Sequence, residues 1–117
     1  MRTPSAENPQ HLYRIDKFKV PPASRAEFLQ GVRDTQSFLA TQPGFIGNAI
    51  FEQSSGPGVF NFVAMVEWES AEAIERAANA VTARFEATGF NPQATRSRLG
   101  IEADVAIYRQ TSGATLE

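Results

Sequence analysis

The stretch from Val59 to Glu69, VFNFVAMVEWE, alternates as a strand does, yet both of its faces are apolar. Phe60, Phe62, Ala64, Val66 and Trp68 fall on one side, and Val59, Val63 and Met65 on the other. A strand of this kind needs cover above and below, so it belongs inside a sheet with a layer packed on each face. The neighbouring segments say what supplies the first layer. HLYRIDKFKV (11–20) is rich in aromatic and branched residues and stops at Pro21-Pro22, which marks a strand. Ser24 followed by Glu27 reads as a capping box, and Phe28, Leu29, Val32, Phe38 and Leu39 form the apolar stripe of a helix reaching about Gln42.

Pro43-Gly44 ends that helix, and FIGNAIFEQ makes another strand before the SSGPG turn. After the two-faced strand, Ser70 is a good N-cap, Glu72 suits the first turn, and Ile74, Ala77, Ala78, Val81 and Phe85 line one side of a second helix that ends before Gly89. FNPQATRSRL is a connection, with Asn91 and Pro92 placed to open a helical turn. IEADVAIYRQ alternates as a last strand. The order β-α-β-β-α-β with right-handed crossovers predicts an α+β, ferredoxin-like protomer, both helices on one face of a four-stranded antiparallel sheet.

Two helices cover only one face. The second strand is expected to divide Phe45, Ala49 and Phe51 from Ile46 and Ile50, and the first sets Tyr13 and Ile15 opposite Phe18. So large an apolar sheet face exceeds what a soluble monomer tolerates, and a second copy packed sheet to sheet is the simplest cover. The chain is therefore expected to be a homodimer. One folded domain is expected over 11–110, with loose tails at 1–10 and 111–117.

Composition narrows the function. With 13 acids and 11 bases interspersed and a net charge of −2, no basic footprint for nucleic acid or anionic membrane exists. No apolar run approaches the roughly 20 residues of a membrane span, and the N-terminus has no apolar signal core. The absence of cysteine removes disulfides and thiolate metal sites, and the single histidine, His11, cannot build a multi-histidine centre. A cytoplasmic protein without a metal is expected.

Trp68, the only tryptophan, reads either as core or as one wall of a pocket between sheet and helices. In order and spacing, EFL, the QPGF turn and VEWESAEAIERA resemble the antibiotic biosynthesis monooxygenase (ABM) family over about 11–110. The resemblance implies a dimeric α/β barrel with one pocket per subunit. It also implies oxidation of a flat aromatic phenol or anthrone-type compound by O₂, with no cofactor. The family's pocket tryptophan corresponds to Trp68, and its arginine to Arg96, with Arg98 close enough to be the counterpart. Asp16 stands where a strand-1 asparagine is expected and Ala64 where the asparagine before the tryptophan is expected.

On this reading Asp16 is a candidate base, Arg96 stabilises the anion, and Trp68, Phe62, Ala64 and Phe85 hold the substrate. The alternatives are that Asp16 merely pairs with Arg14 or Lys17, and that the chain is a non-catalytic small-molecule binder or stress-associated dimer. Glu67 is expected to pair with Lys17 or Lys19, Asn48 and Asn61 to serve the dimer interface, and His11 to be solvated. The haem-degrading relatives' axial histidine on the second helix has no equivalent in ERAANAVTARF.

Overall fold

The structure, a computed structural model, describes residues 11–111. The tails expected at 1–10 and 111–117 lie outside the described residues, apart from Thr111. Strands β1 (Leu12–Lys19), β2 (Phe45–Glu52), β3 (Phe62–Trp68) and β4 (Glu102–Arg109) form one sheet in the order β2-β3-β1-β4, every neighbouring pair antiparallel. Helices α1 (Arg25–Leu39), α2 (Ala71–Thr88) and α3 (Pro92–Leu99) complete the ferredoxin-like arrangement. No described helix is long and apolar enough to cross a membrane.

Local chemistry explains most boundaries. The Ser70 side chain accepts from the Ala73 amide at 3.1 Å, and Asn91 Oδ1 accepts from Ala94 at 3.0 Å, so both expected caps form. Gly89 and Gly100 close α2 and α3 in the left-handed region. The capping box at Ser24 does not form. Pro21-Pro22 lead into a 3₁₀ turn over Pro22–Ser24 that leaves Ser24 in the helical region instead of the extended one a cap needs. Its hydroxyl donates to the Leu99 carbonyl at 2.7 Å and so ties the end of α3 to the start of α1.

The face split of β3 is as its alternation requires: Phe62, Ala64, Val66 and Trp68 lie under the helices, and Val63, Met65 and Glu67 lie on the far side. The split expected of β2 is corrected by a bulge between Phe45 and Gly47. One extra residue reverses the alternation from there on, so Phe45 shares the helix side with Asn48 and Ile50, while Ala49 and Phe51 point away. Phe45 accordingly meets Trp68 edge to face at 5.9 Å.

Four polar expectations change as well, His11 among them, since its side chain is 16% exposed and paired and not solvated. Asn61 accepts from the Val20 amide at 2.8 Å and donates to the Val20 carbonyl at 2.9 Å, and Asn48 donates to Gln36 Oε1 at 2.9 Å, so both bond within the chain. Glu67, only 1% exposed, pairs with His11 Nδ1 at 2.6 Å and not with a lysine. The register sets Glu67 opposite Tyr13, which leaves Lys17 four residues down the strand, roughly 13 Å away at a strand's rise. Lys17 lies over the Tyr108 ring instead, and Lys19 pairs with Glu102. Burial, and the Glu67 carboxylate beside it, push the Tyr13 phenol above its ordinary pKa.

Two substitutions test these contacts. A Cβ on Gly44, at φ +87°, would lie 2.4 Å from Ala73 Cβ, so Gly44→Ala forces β2 away from the first turn of α2. We expect it to cost about 1–3 kcal/mol in urea denaturation. His11→Ala removes one of the two partners of the buried Glu67 side chain, Tyr13 being the other, and should also cost about 1–3 kcal/mol. Adding Glu67→Gln to His11→Ala should recover part of that loss, because the buried acid left with Tyr13 alone is then replaced by an amide that can also donate.

Candidate active site

The core under the helices is divided. Phe18, Phe28 and Phe62 anchor one cluster, with Phe28 4.9 Å from each of the other two rings. Trp68, Val66, Ile74 and Ala77 anchor another. Between them is a cavity of about 420 Å³, within the 300–1,000 Å³ usual for a small-molecule site. Its sheet wall carries Arg14, Asp16, Ala64, Val66 and Trp68, and α1, α2 and α3 supply the sides. The cavity exists because small residues occupy its walls. Ala64 interrupts the large side chains of β3, and Ala77 and Ala78 present only methyl groups from α2. Filling by the surrounding phenylalanines does not occur.

Five of the six residues singled out from the sequence line this cavity: Asp16, Ala64, Trp68, Phe85 and Arg96. Phe62 does not. At 2% exposure it is locked in the phenylalanine cluster next to the cavity wall. The two candidate arginines separate: Arg96 faces the cavity, while Arg98 reaches across from α3 to form a two-point ion pair with Glu27 of α1. The angular step between residues two apart on a helix explains the divergence.

Asp16 is both paired and perturbed. Arg14 Nε donates to its Oδ1 at 2.8 Å, as two residues on one strand face allow. Burial nevertheless pushes the carboxyl above its ordinary pKa, against the opposing pull of Arg14 and of the Arg96 charge. The result is a carboxylate with increased basicity, flanked by two cations, at the edge of an apolar chamber.

Sequence reading missed Arg14 and Gln36 as cavity residues. The signal for Arg14 was its parity with Asp16. For Gln36 it was a polar residue within the apolar stripe of α1, one turn beyond Val32. Gln36 is buried, accepts from Asn48 and donates to the Ala49 carbonyl at 3.3 Å, so it pins α1 to the edge strand β2. His11 lies outside the cavity, on the far face of the sheet with Glu67.

The family pattern of the antibiotic biosynthesis monooxygenases matches residues 12–85, and the chain belongs to that family. Among solved structures it is similar to SnoaB, a cofactor-independent oxygenase from Streptomyces nogalater. The identity is 24% and the TM-score 0.63, with 89% of this chain and 98% of that one covered. A mutant form of SnoaB aligns at 26% identity and TM-score 0.63, covering 92% and 97%. The chain is also similar to the haem degrader MhuD from Mycobacterium tuberculosis, at 19% identity and TM-score 0.64, covering 89% and 99%. No curated protein sequence matches the chain.

A haem does not fit the donor set of this cavity. No histidine, cysteine, methionine or tyrosine lines it, so an iron centre would lack the usual axial ligands. No group of three or more acidic, histidine or cysteine side chains suited to a metal occurs among the described residues.

The raised pKa of Asp16 sets a pH dependence. The folded chain holds this proton more tightly than the unfolded chain does, so ionising it disfavours the fold. The stabilising contribution is complete below the ordinary aspartate range and is lost as pH rises through the raised value. Asp16→Asn should therefore be more stable than the parent at neutral pH, and the advantage should shrink as pH falls through the raised value and be gone once pH is below the ordinary aspartate range, read as thermal midpoints across a pH series.

Proposed function

We propose that this protein is a cofactor-independent monooxygenase that oxidises a flat aromatic phenol or anthrone-type compound with O₂. The observation that carries the reading is Asp16: a carboxylate of raised basicity beside two arginines, at the wall of an apolar cavity that also holds Trp68. Family membership and the likeness to SnoaB support it.

The chemistry asks little of the protein beyond ionisation and shielding. Asp16 takes a proton from the activated ring carbon, and Arg96, with Arg14, steadies the resulting enolate oxygen. Trp68 and the alanine-lined walls hold the ring system flat and keep water out. The electron-rich anion passes one electron to O₂, and the radical pair combines to a carbon hydroperoxide that takes up a proton. A second C–H proton at that carbon is then lost as the O–O bond breaks, leaving the ketone and water. One O₂ is consumed, with one oxygen atom in the product and one in water.

Two further elements belong to this reading. A second copy covers the helix-free face of the sheet, where Phe51 is 55% exposed, to give a homodimer. The cytoplasm is its place of work, supported by the lack of cysteine.

The test is oxygen uptake by metal-stripped protein supplied with anthrone, with autoxidation subtracted. Saturable uptake that survives a chelator and falls by about 10²-fold or more in Asp16→Ala is expected. Trp68→Phe should chiefly raise KM. Quenching of Trp68 fluorescence without uptake would replace the enzyme by a non-catalytic binder.

A further inference from the structure

Gly31 sits in the interior of α1, where glycine costs roughly 0.5–1 kcal/mol relative to alanine. Two ordinary reasons for a glycine are missing. Its φ is not positive, so the backbone does not demand it, and a Cβ built there would meet nothing within 4 Å, so packing does not demand it either. What distinguishes the position is its place between two cavities.

Beyond the main chamber a smaller cavity of about 210 Å³ opens between α1 and α2. Gly31, Thr35, Val81, Phe85 and Phe90 line both, so the two adjoin along this strip. Their characters differ. The inner chamber is walled by Trp68, Val66 and alanines, whereas the outer one adds Asp34, Arg84 and Thr88 to its aromatic lining. The Arg84 guanidinium lies 4.6 Å from the Phe38 ring centroid, and the Phe85 and Phe90 rings meet at 4.9 Å. An apolar chamber that leads into a smaller cavity with a polar rim fits a ligand whose flat ring system is buried and whose polar substituent emerges.

We propose that Gly31 is a specificity-determining position: its bare backbone keeps the passage between α1 and α2 open, so that the aromatic substrate can carry a polar substituent, such as a sugar, lying beside Asp34, Arg84 and Thr88. The proposal rests on the reading of the inner cavity as an aromatic-ligand site. Gly31 lines both cavities while Trp68 lines only the inner one, so a side chain at position 31 would grow from the strip they share, where its Cβ meets nothing within 4 Å.

Air-stable probes test it: 1-hydroxyanthraquinone and its 1-O-glucoside, titrated against Trp68 fluorescence. The wild type should bind both. In Gly31→Leu the glucoside should weaken by about tenfold or more, while the parent quinone changes by less than about threefold. Gly31→Ala should raise the melting temperature and keep both affinities, which shows that the position tolerates a side chain in the fold. Equal weakening of both probes, or undiminished glucoside binding, in Gly31→Leu would overturn the passage, as would a lowered melting temperature in Gly31→Ala. If the wild type binds neither probe, the aromatic-ligand reading of the inner cavity fails, and this inference fails with it.

Discussion

Everything in this fold depends on how β3 is covered. As the second strand of the sheet, hydrogen-bonded to β1 and β2, it must bury both faces, and the helix-side face is graded in size from Phe62 through Ala64 and Val66 to Trp68. Large side chains at both ends let α1 and α2 dock, while the small one between leaves a gap beneath them. The core is thereby split into two clusters that hold the helices apart. The chamber is the space left by that size pattern, and it persists because side chains at either end are packed too tightly to relax into it.

The polar groups follow from the same geometry. Strand alternation delivers Arg14 and Asp16 to the chamber side and Tyr13 and Glu67 to the other. One acid, Asp16, meets arginines at the edge of a cavity, keeps some contact with solvent and becomes more basic through partial burial. The other, Glu67, is almost wholly enclosed and is held by His11. The same residue chemistry thus yields a more basic carboxyl at a cavity wall on one face and an enclosed pair on the other. The difference is set by what lies over each face of the sheet.

Much of this was legible in the chain. Element order, the caps at Ser70 and Asn91, the close of α2 at Gly89 and the face split of β3 are local or periodic properties and each appears, although β3 starts at Phe62 and not at Val59, and the helical turn expected after Asn91 is the two-turn helix α3. Asp16, Trp68, Ala64, Phe85 and Arg96 were legible as cavity residues through the family resemblance combined with parity. Phe62 was misassigned because parity gives a face but not a depth: it lies on the cavity's side of β3 and is sealed off by Phe18 and Phe28. The β2 split failed because a single bulge reverses every later side chain, and its one cue in FIGNAIFEQ, Gly47 inside the strand, does not by itself give the register.

The sequence by itself determined the protomer, since hydrophobic period, capping residues and turn glycines act within a few residues of one another. It also determined which face of each strand is apolar, wherever the alternation runs unbroken. Only the tertiary structure decided which partners the polar side chains take: His11 for Glu67, Gln36 for Asn48, Glu27 for Arg98. It also decided that Arg96 and not Arg98 looks into the chamber. Those choices depend on distances between residues far apart in the chain, which are fixed by strand register and by the gap between helices, and neither is encoded in any short stretch of residues.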